Sequence, residues 1–363
     1  MAEWFYRGTP RADESWFWLG CLAVTALAAT FGENRVWEGY TPLFTHAFAV
    51  YYVLCRSGRL LEGESGQLLP LDALFGLIVF PFKHLVLRIR TVSFALTHRK
   101  TGEETHPAAW AAMAVGALLA LGLLALAVRE LSGADAAFDA WTQKLLGVFQ
   151  WRLNEQTLWN VLLSLPVGAY LFGLIAGTGR EKIEAVRARG ERVNAALGSL
   201  RKVPVVVWTA ALGVFAMLYL AFFSLQAGYL FGAFVKMIPD GYTIAEYARQ
   251  GFFSLCRVMA VNFALLWLVT RACVKPVRQE KTLLLLCAVL LCQSLVFAAI
   301  AASKLYLYIS SYGFTPRRLQ SAWLIAVLAA GTVCALYSLV TGKKAVRYWM
   351  LFSAATLMLL SLY

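Results

Sequence analysis

Apolar residues come in blocks of about twenty along this chain, divided by short polar stretches, and a block of that length crosses roughly 30 Å of hydrocarbon as helix. The blocks predict spanning helices over Ser15 to Phe31, Val36 to Cys55, Pro107 to Val128, Thr157 to Ala176, Val203 to Phe223, Phe252 to Thr270, Thr282 to Ala302, Ala322 to Val340 and Val346 to Tyr363. Leu68 to Phe82 is a shorter apolar stretch that holds Pro70 and Pro81 and runs into the basic, amphipathic Lys83 to Lys100. It reads as a re-entrant or interfacial element followed by a surface helix. The expected fold class is all-α: a polytopic helical membrane bundle of about nine transmembrane helices with one re-entrant or interfacial element. Residues 1–106 form a two-span N-terminal region with that element and the basic amphipathic segment, and residues 107–363 a seven-span membrane domain. Two of the runs, Val203 to about Phe234 and Thr282 to about Tyr312, outlast the hydrocarbon and would project beyond the outer face.

Composition agrees. With 60% hydrophobic and 15% charged residues and a mean hydropathy of +0.65, the chain is too apolar for a soluble globular fold, in which about 25% of residues are charged. The net charge of +13 invites a nucleic-acid reading, so its distribution decides. With a cytoplasmic N-terminus, 23 of the 33 Lys and Arg fall in cytoplasmic segments, including Arg180 to Lys202, Arg271 to Lys281 and Lys343 to Arg347. Topology and anionic inner-leaflet lipid account for the excess, and nucleic-acid binding has no separate support. The N-terminus lacks the short apolar region and small-residue site of a cleaved signal peptide, so the first span reads as a permanent anchor. The loop from Gly179 to Lys202 reads as an amphipathic cytoplasmic helix.

Familiar chemistry is thin. The seven cysteines lie in or at the rim of apolar blocks, odd in number and without CxxC or Cys/His pairing, which argues against a disulfide frame and against a metal site. The carboxylates lie in loops or at rims, which disfavours a carrier that neutralises a buried acid with a proton or sodium ion. Of the four histidines only His46 falls within a span, and no nucleotide-binding or hydrolase motif appears, so no cofactor is expected.

The polar cluster that stands out is on the predicted outer side of the second half. Pro239-Asp240-Gly241 makes a turn, Thr243 stands three residues before Glu246 in the manner of a capping box, and Arg249, Arg257 and Asn262 follow down the helix. Arg257 lies several residues into an apolar stretch, where a charge needs a partner or a ligand. Lys304, Tyr308 and Tyr312 form an i, i+4, i+8 stripe, and Arg317 and Arg318 open the next span. If these spans are neighbours, their cations and Tyr hydroxyls line a pocket suited to a phosphate or carboxylate. The competing reading is ordinary: aromatic belts and snorkelling cations are common at membrane interfaces. Gly228 and Gly232 permit close helix packing.

The segments DGYTIAEYARQGFF and SKLYLYISSYGFTPRR resemble paired motifs, roughly Y-A-E-Y-A-R-x-G-F-x-E-L and R-x-x-L-Y-x-x-x-Y-G-L-T-x-x-R, of a bacterial multi-pass membrane family known only as a domain of unknown function. GADAAFDAWTQKLL from Gly133 is similar to a weaker motif of the same family, and the resemblance runs from about Pro107 to the C-terminus. This chain departs from it at Gln250, where a second basic residue is common, at Ser254, where Glu is frequent, and at Lys304, where Arg is usual. The resemblance implies a bacterial inner-membrane protein and supplies no reaction or substrate.

The leading expectation is a non-catalytic envelope protein, sensing or scaffolding, that binds an anionic lipid, peptide or partner membrane protein at its extracytoplasmic rim. The alternatives are a membrane-embedded enzyme on a lipid-linked or phosphate-bearing substrate, with Glu246 or Asp240 as acid or base, and a transporter or flippase.

Overall fold

The computed structural model describes residues 2–31, 40–98, 116, 119–120, 122–124, 126–132, 135–148, 155–230 and 243–362. Among them there is no strand, only an isolated parallel bridge between Val203 and Cys273. The helices that matter are α1 (Ser15–Phe31), α2 (Thr41–Ser57), α3 (Leu69–Leu74), α4 (Leu87–His98), α5 (Ala136–Val148), α6 (Glu155–Phe172), α7 (Ile183–Ser199), α8 (Val205–Leu230), α9 (Ile244–Ala272), α10 (Lys281–Tyr312), α11 (Pro316–Thr341) and α12 (Val346–Ser361).

The fold is an all-α bundle, and among the described residues five helical segments are long and apolar enough to cross a membrane: Trp159–Arg180, Val205–Leu225, Gly251–Ala272, Lys281–Tyr312 and Pro316–Thr341. A sixth arises if Leu69–Lys83 and Leu87–Phe94, bent by 43° where they meet, are one broken span. The sequence expectation of nine is therefore not reached among the described residues. The expected Pro107 to Val128 span lies mostly outside them. Ser15–Phe31 and Val346–Ser361 are apolar but short, at 17 and 16 residues. Such a helix rises about 25 Å, a few ångströms short of the hydrocarbon thickness.

The chain divides into two compact units, residues 1–7 with 74–181 and residues 8–73 with 182–363. In the first, a widened turn at Gly173–Gly177 packs on Phe80–Lys83. A Cβ on Gly177 would meet the His84 side chain at 2.5 to 2.8 Å, so this approach needs glycine. Tyr6 donates its hydroxyl to the Ile175 carbonyl at 2.5 Å, and Tyr170 to that of Leu77 at 3.0 Å. Glu181 is buried and receives hydrogen bonds from Lys83 and, at 3.1 Å, from His84 Nε2.

In the second unit α10 is the axis. Half of its apolar window is buried, against 17% for α8, because α8, α9 and α11 all pack on it. Leu283, Cys287, Leu290, Ser294, Phe297 and Ala301 recur every three or four residues and form the continuous buried stripe that such packing needs. Helices α9 and α11 touch each other little and leave a cleft between them. Helix α12 packs on α11 and α1, and α1 on α2.

The loops at one end of this unit are tied together. Ala12 N donates to Cys55 O at 2.9 Å, Arg271 to the Gln67 side chain, Arg278 to Val340 O at 2.9 Å, and Lys344 and Arg347 pair with Glu62 and Glu64. These are the segments that the charge count groups on one face of the membrane.

Candidate functional site

Helix α9 begins as its sequence spacing predicts. Thr243 Oγ1 accepts from Glu246 N at 3.3 Å, and Glu246 Oε2 accepts from Thr243 N at 3.2 Å and Thr243 Oγ1 at 2.8 Å, which is a complete capping box. The Glu246 carboxylate is thus engaged in closing the helix end. Asp240 and the Arg249 side chain lie outside the described residues.

Three turns further on, Arg257 projects into a groove of about 480 Å³ between α9 and α11. Its walls are Phe253, Cys256 and Ala260 of α9 and Leu324 and Leu328 of α11, and among the described residues no carboxylate lines it. The guanidinium donates to Ser254 Oγ at 3.3 Å, and among the described residues no acid pairs with it. An alkyl-walled groove with one guanidinium offers a charge-assisted pair to a carboxylate or phosphate and apolar contact to whatever carries it.

Lys304 stands on the α9–α10 interface. It lies against Gly251, where a Cβ would meet its Cε at 2.9 Å, so glycine at 251 makes room for the lysine. Gly251 and Arg257 are six residues apart, about 9 Å of helical rise. Beyond Lys304 the stripe continues: the Tyr308 and Tyr312 rings meet edge to face at 5.3 Å. Arg318 lies over them, at 4.1 Å from the Tyr308 centroid and 5.9 Å from that of Tyr312, and donates to Gly313 O. This guanidinium is held by ring faces and a carbonyl, while Arg317 beside it is exposed.

Asn262 stands elsewhere. It is buried inside the helix bundle, accepts from Tyr219 OH at 2.7 Å through Oδ1 and donates to Ser294 Oγ at 2.8 Å. Ser294 Oγ donates to Leu290 O at 3.0 Å, and Gln293 Nε2 to Ala216 O at 3.0 Å. These bonds tie α8, α9 and α10 in an apolar setting where an unmet polar group would be costly. The structure therefore gives the predicted rim residues three settings: the Arg257 groove, the Lys304–Tyr308–Tyr312–Arg318 run at the α10–α11 turn, and Asn262 within the bundle.

A further group, which the sequence reading used only for topology, lies at the opposite end of α9, where Arg201, Arg271 and Arg278 line one groove. Arg271 and Arg278 are near neighbours in sequence, but Arg201 comes from the linker before α8, a whole helical hairpin away, so no local spacing rule could have joined the three. Among the described residues no cluster of three or more His, Cys, Asp or Glu could hold a metal ion.

Residues 11–363 match the model of a family described as Domain of unknown function (DUF4153), which extends the resemblance read from the motifs back across the N-terminal region. No curated protein and no solved structure matches the chain.

Proposed function

We propose, from the premise that the chain belongs to this family of unknown function, that it is a multi-pass protein of the bacterial inner membrane, N-terminus inside, that binds an anionic ligand at its outer rim and does not convert it. The ligand class is an anionic lipid, or a peptide or partner membrane protein presenting a carboxylate or phosphate. Such binding serves a sensing or scaffolding role in the envelope.

One observation carries this reading: Arg257 stands in an otherwise apolar groove of about 480 Å³ with a serine hydroxyl and, among the described residues, no acid beside it. A guanidinium at that depth on a membrane helix is favourable only with a counter-charge or access to headgroups and water. Lys304 and the exposed Arg317 add positive potential along the same rim, and steering by several charges favours anions over neutral ligands. The capping role of Glu246 also supports binding over acid–base chemistry, because a carboxylate closing its own helix is poorly placed to exchange protons with a substrate.

The test is native mass spectrometry of the full-length protein, gently extracted, beside Arg257→Ala and the Arg257→Ala, Lys304→Ala double variant. A discrete anionic adduct on the wild type that is lost in both variants is the expected result, and its mass identifies the ligand class. An adduct that survives both changes, or a bare wild-type protein, removes the rim as a binding site.

A further inference from the structure

The end of α9 remote from Arg257 is built from the chain upward into a second, differently shaped site. The linker between α7 and α8 is stitched to the last turn of α9: Lys202 N and Val203 N donate to Ala272 O at 3.1 and 3.0 Å, and Val274 N donates back to Val203 O at 3.1 Å. That stitch holds Arg201 beside Arg271, the last basic residue of α9. The α9–α10 linker then turns at Val277–Gln279, with Val277 buried, and sends Arg278 to Val340 O at the C-terminal end of α11. Gly342, which ends α11 with φ +76°, lets that guanidinium lie where a Cβ would otherwise stand. Three arginines from three segments thereby line the mouth of one groove of about 490 Å³.

The interior of the groove has the opposite character. Phe263, Leu266 and Trp267 of α9 face Gly331, Cys334 and Ala335 of α11, with Trp349 of α12 among the lining residues. Trp349 is fixed by donating Nε1 to Val327 O at 2.8 Å, and Phe263 stacks on it at 6.0 Å and 22°. Both aromatic rings lie over Gly331, where a Cβ would approach them to 2.8 and 3.2 Å. The volume falls within the ordinary range of ligand pockets, about 300–1,000 Å³.

Charge decides what such a groove takes. Arg271 reaches a neutral amide, Gln67, and Arg278 a backbone carbonyl. The Arg201 guanidinium has no partner among the described residues, and no Asp or Glu lines the groove. Helix C-termini help such cations, at about half a unit of negative charge each, but three full positive charges at one mouth still favour an incoming anion. An inorganic anion would leave the apolar interior unused, whereas an acyl chain fills it.

We propose that this groove is a binding site for an anionic phospholipid, with the headgroup phosphate among Arg201, Arg271 and Arg278 and an acyl chain against Trp267 and Trp349. The site lies at the end of the unit opposite the Arg257 groove and stands whether or not that rim binds anything.

The test uses the full-length protein, delipidated in detergent and titrated in native mass spectrometry with phosphatidylglycerol, with phosphatidylcholine of the same acyl chains, and with inorganic phosphate. Wild type should retain phosphatidylglycerol in preference to phosphatidylcholine. An Arg201→Gln, Arg278→Gln double variant should weaken that binding about tenfold or more, the scale of losing charge-assisted hydrogen bonds. A Cys334→Phe variant keeps every arginine and fills the groove; it should weaken both lipids. Each titration is repeated in the Arg257→Ala background, so that a lipid held at the outer rim does not count toward this groove. Equal retention of the two lipids, full competition by inorganic phosphate, or wild-type binding by Cys334→Phe would each overturn the proposal, and the last keeps it testable if the arginine variant does not fold.

Discussion

Arg347 and Lys344 meet carboxylates at the same end of the second unit where Arg201, Arg271 and Arg278 line their groove with none. Glu14 Oε1 is 2.6 Å from Arg347 Nε, Glu64 is 3.4 Å from the same guanidinium, and Glu62 is 3.8 Å from Lys344 Nζ. The two groups share a neighbourhood, since Glu64 serves one and Gln67, three residues on, serves the other. A shared surrounding would treat them alike, so the difference lies in what the chain supplies. Where it supplies a buried acid, the cation is a structural fastening between the N-terminal hairpin and α12. Where it supplies an amide, a carbonyl and apolar walls, the cation is left for a partner from outside.

The sharpest way to break that contrast is Arg347→Ala. The Glu14 side chain is only 3% exposed, and removing one partner of a buried pair leaves an uncompensated charge that costs about 3–5 kcal/mol. Arg347 is itself about one-third exposed, so screening reduces the expected loss to about 2–3 kcal/mol. Thermal unfolding of the full chain in micelles should show Tm falling by several degrees, and adding Glu14→Gln to the variant should restore part of it. A variant that melts with the wild type would show that the pairing fastens nothing.

The first unit offers a second paired acid, and here pH is the probe. Burial pushes the pKa of Glu181 up, but hydrogen bonds from Lys83 and His84 push it further down, leaving it below the ordinary glutamate value. A carboxyl depressed on folding contributes stability that is fully present above its unfolded pKa, about 4.3, and is lost as pH falls through the folded value. Wild type should therefore lose Tm on acidification below about pH 4.3, and Glu181→Gln should flatten that acid limb while lowering Tm at neutral pH. Parallel acid limbs for the two proteins would remove Glu181 from the account. The effect should be smaller than that of Arg347→Ala, because Lys83 is more than half exposed.

How much of this was legible in the chain follows from what each feature depends on. The all-α class, the long α10 and the capping box at Thr243 and Glu246 depend on apolarity and local spacing, which the sequence carries directly. Membrane crossing is less legible: Val346–Ser361 reads as a span by composition, yet the helix has 16 residues. Asn262 was visible as a polar residue in an apolar helix, but its partners Tyr219 and Ser294 lie 43 and 32 residues away, and only packing turns it inward. The arginine groove was invisible for the same reason. It needs the α7–α8 linker stitched to α9 and a left-handed glycine at 342, neither of which a charge count records.

The smallest expected effect discriminates best between a fastening and a waiting site. In lipid-free micelles Arg201→Gln should change stability by less than about 0.5 kcal/mol, the range of surface changes away from buried networks. It should tend to raise Tm, since it relieves repulsion among like charges. Phosphatidylglycerol should then stabilise the wild type by mass action, in proportion to the logarithm of its concentration over Kd, and stabilise the variant less. An Arg201→Gln protein that melts as early as Arg347→Ala without lipid would mean that Arg201 is fastened after all. An unchanged or slightly raised Tm without lipid, paired with a blunted response to lipid, is what an arginine held for an external anion requires, because only a group whose partner is absent can be removed at no cost until that partner arrives.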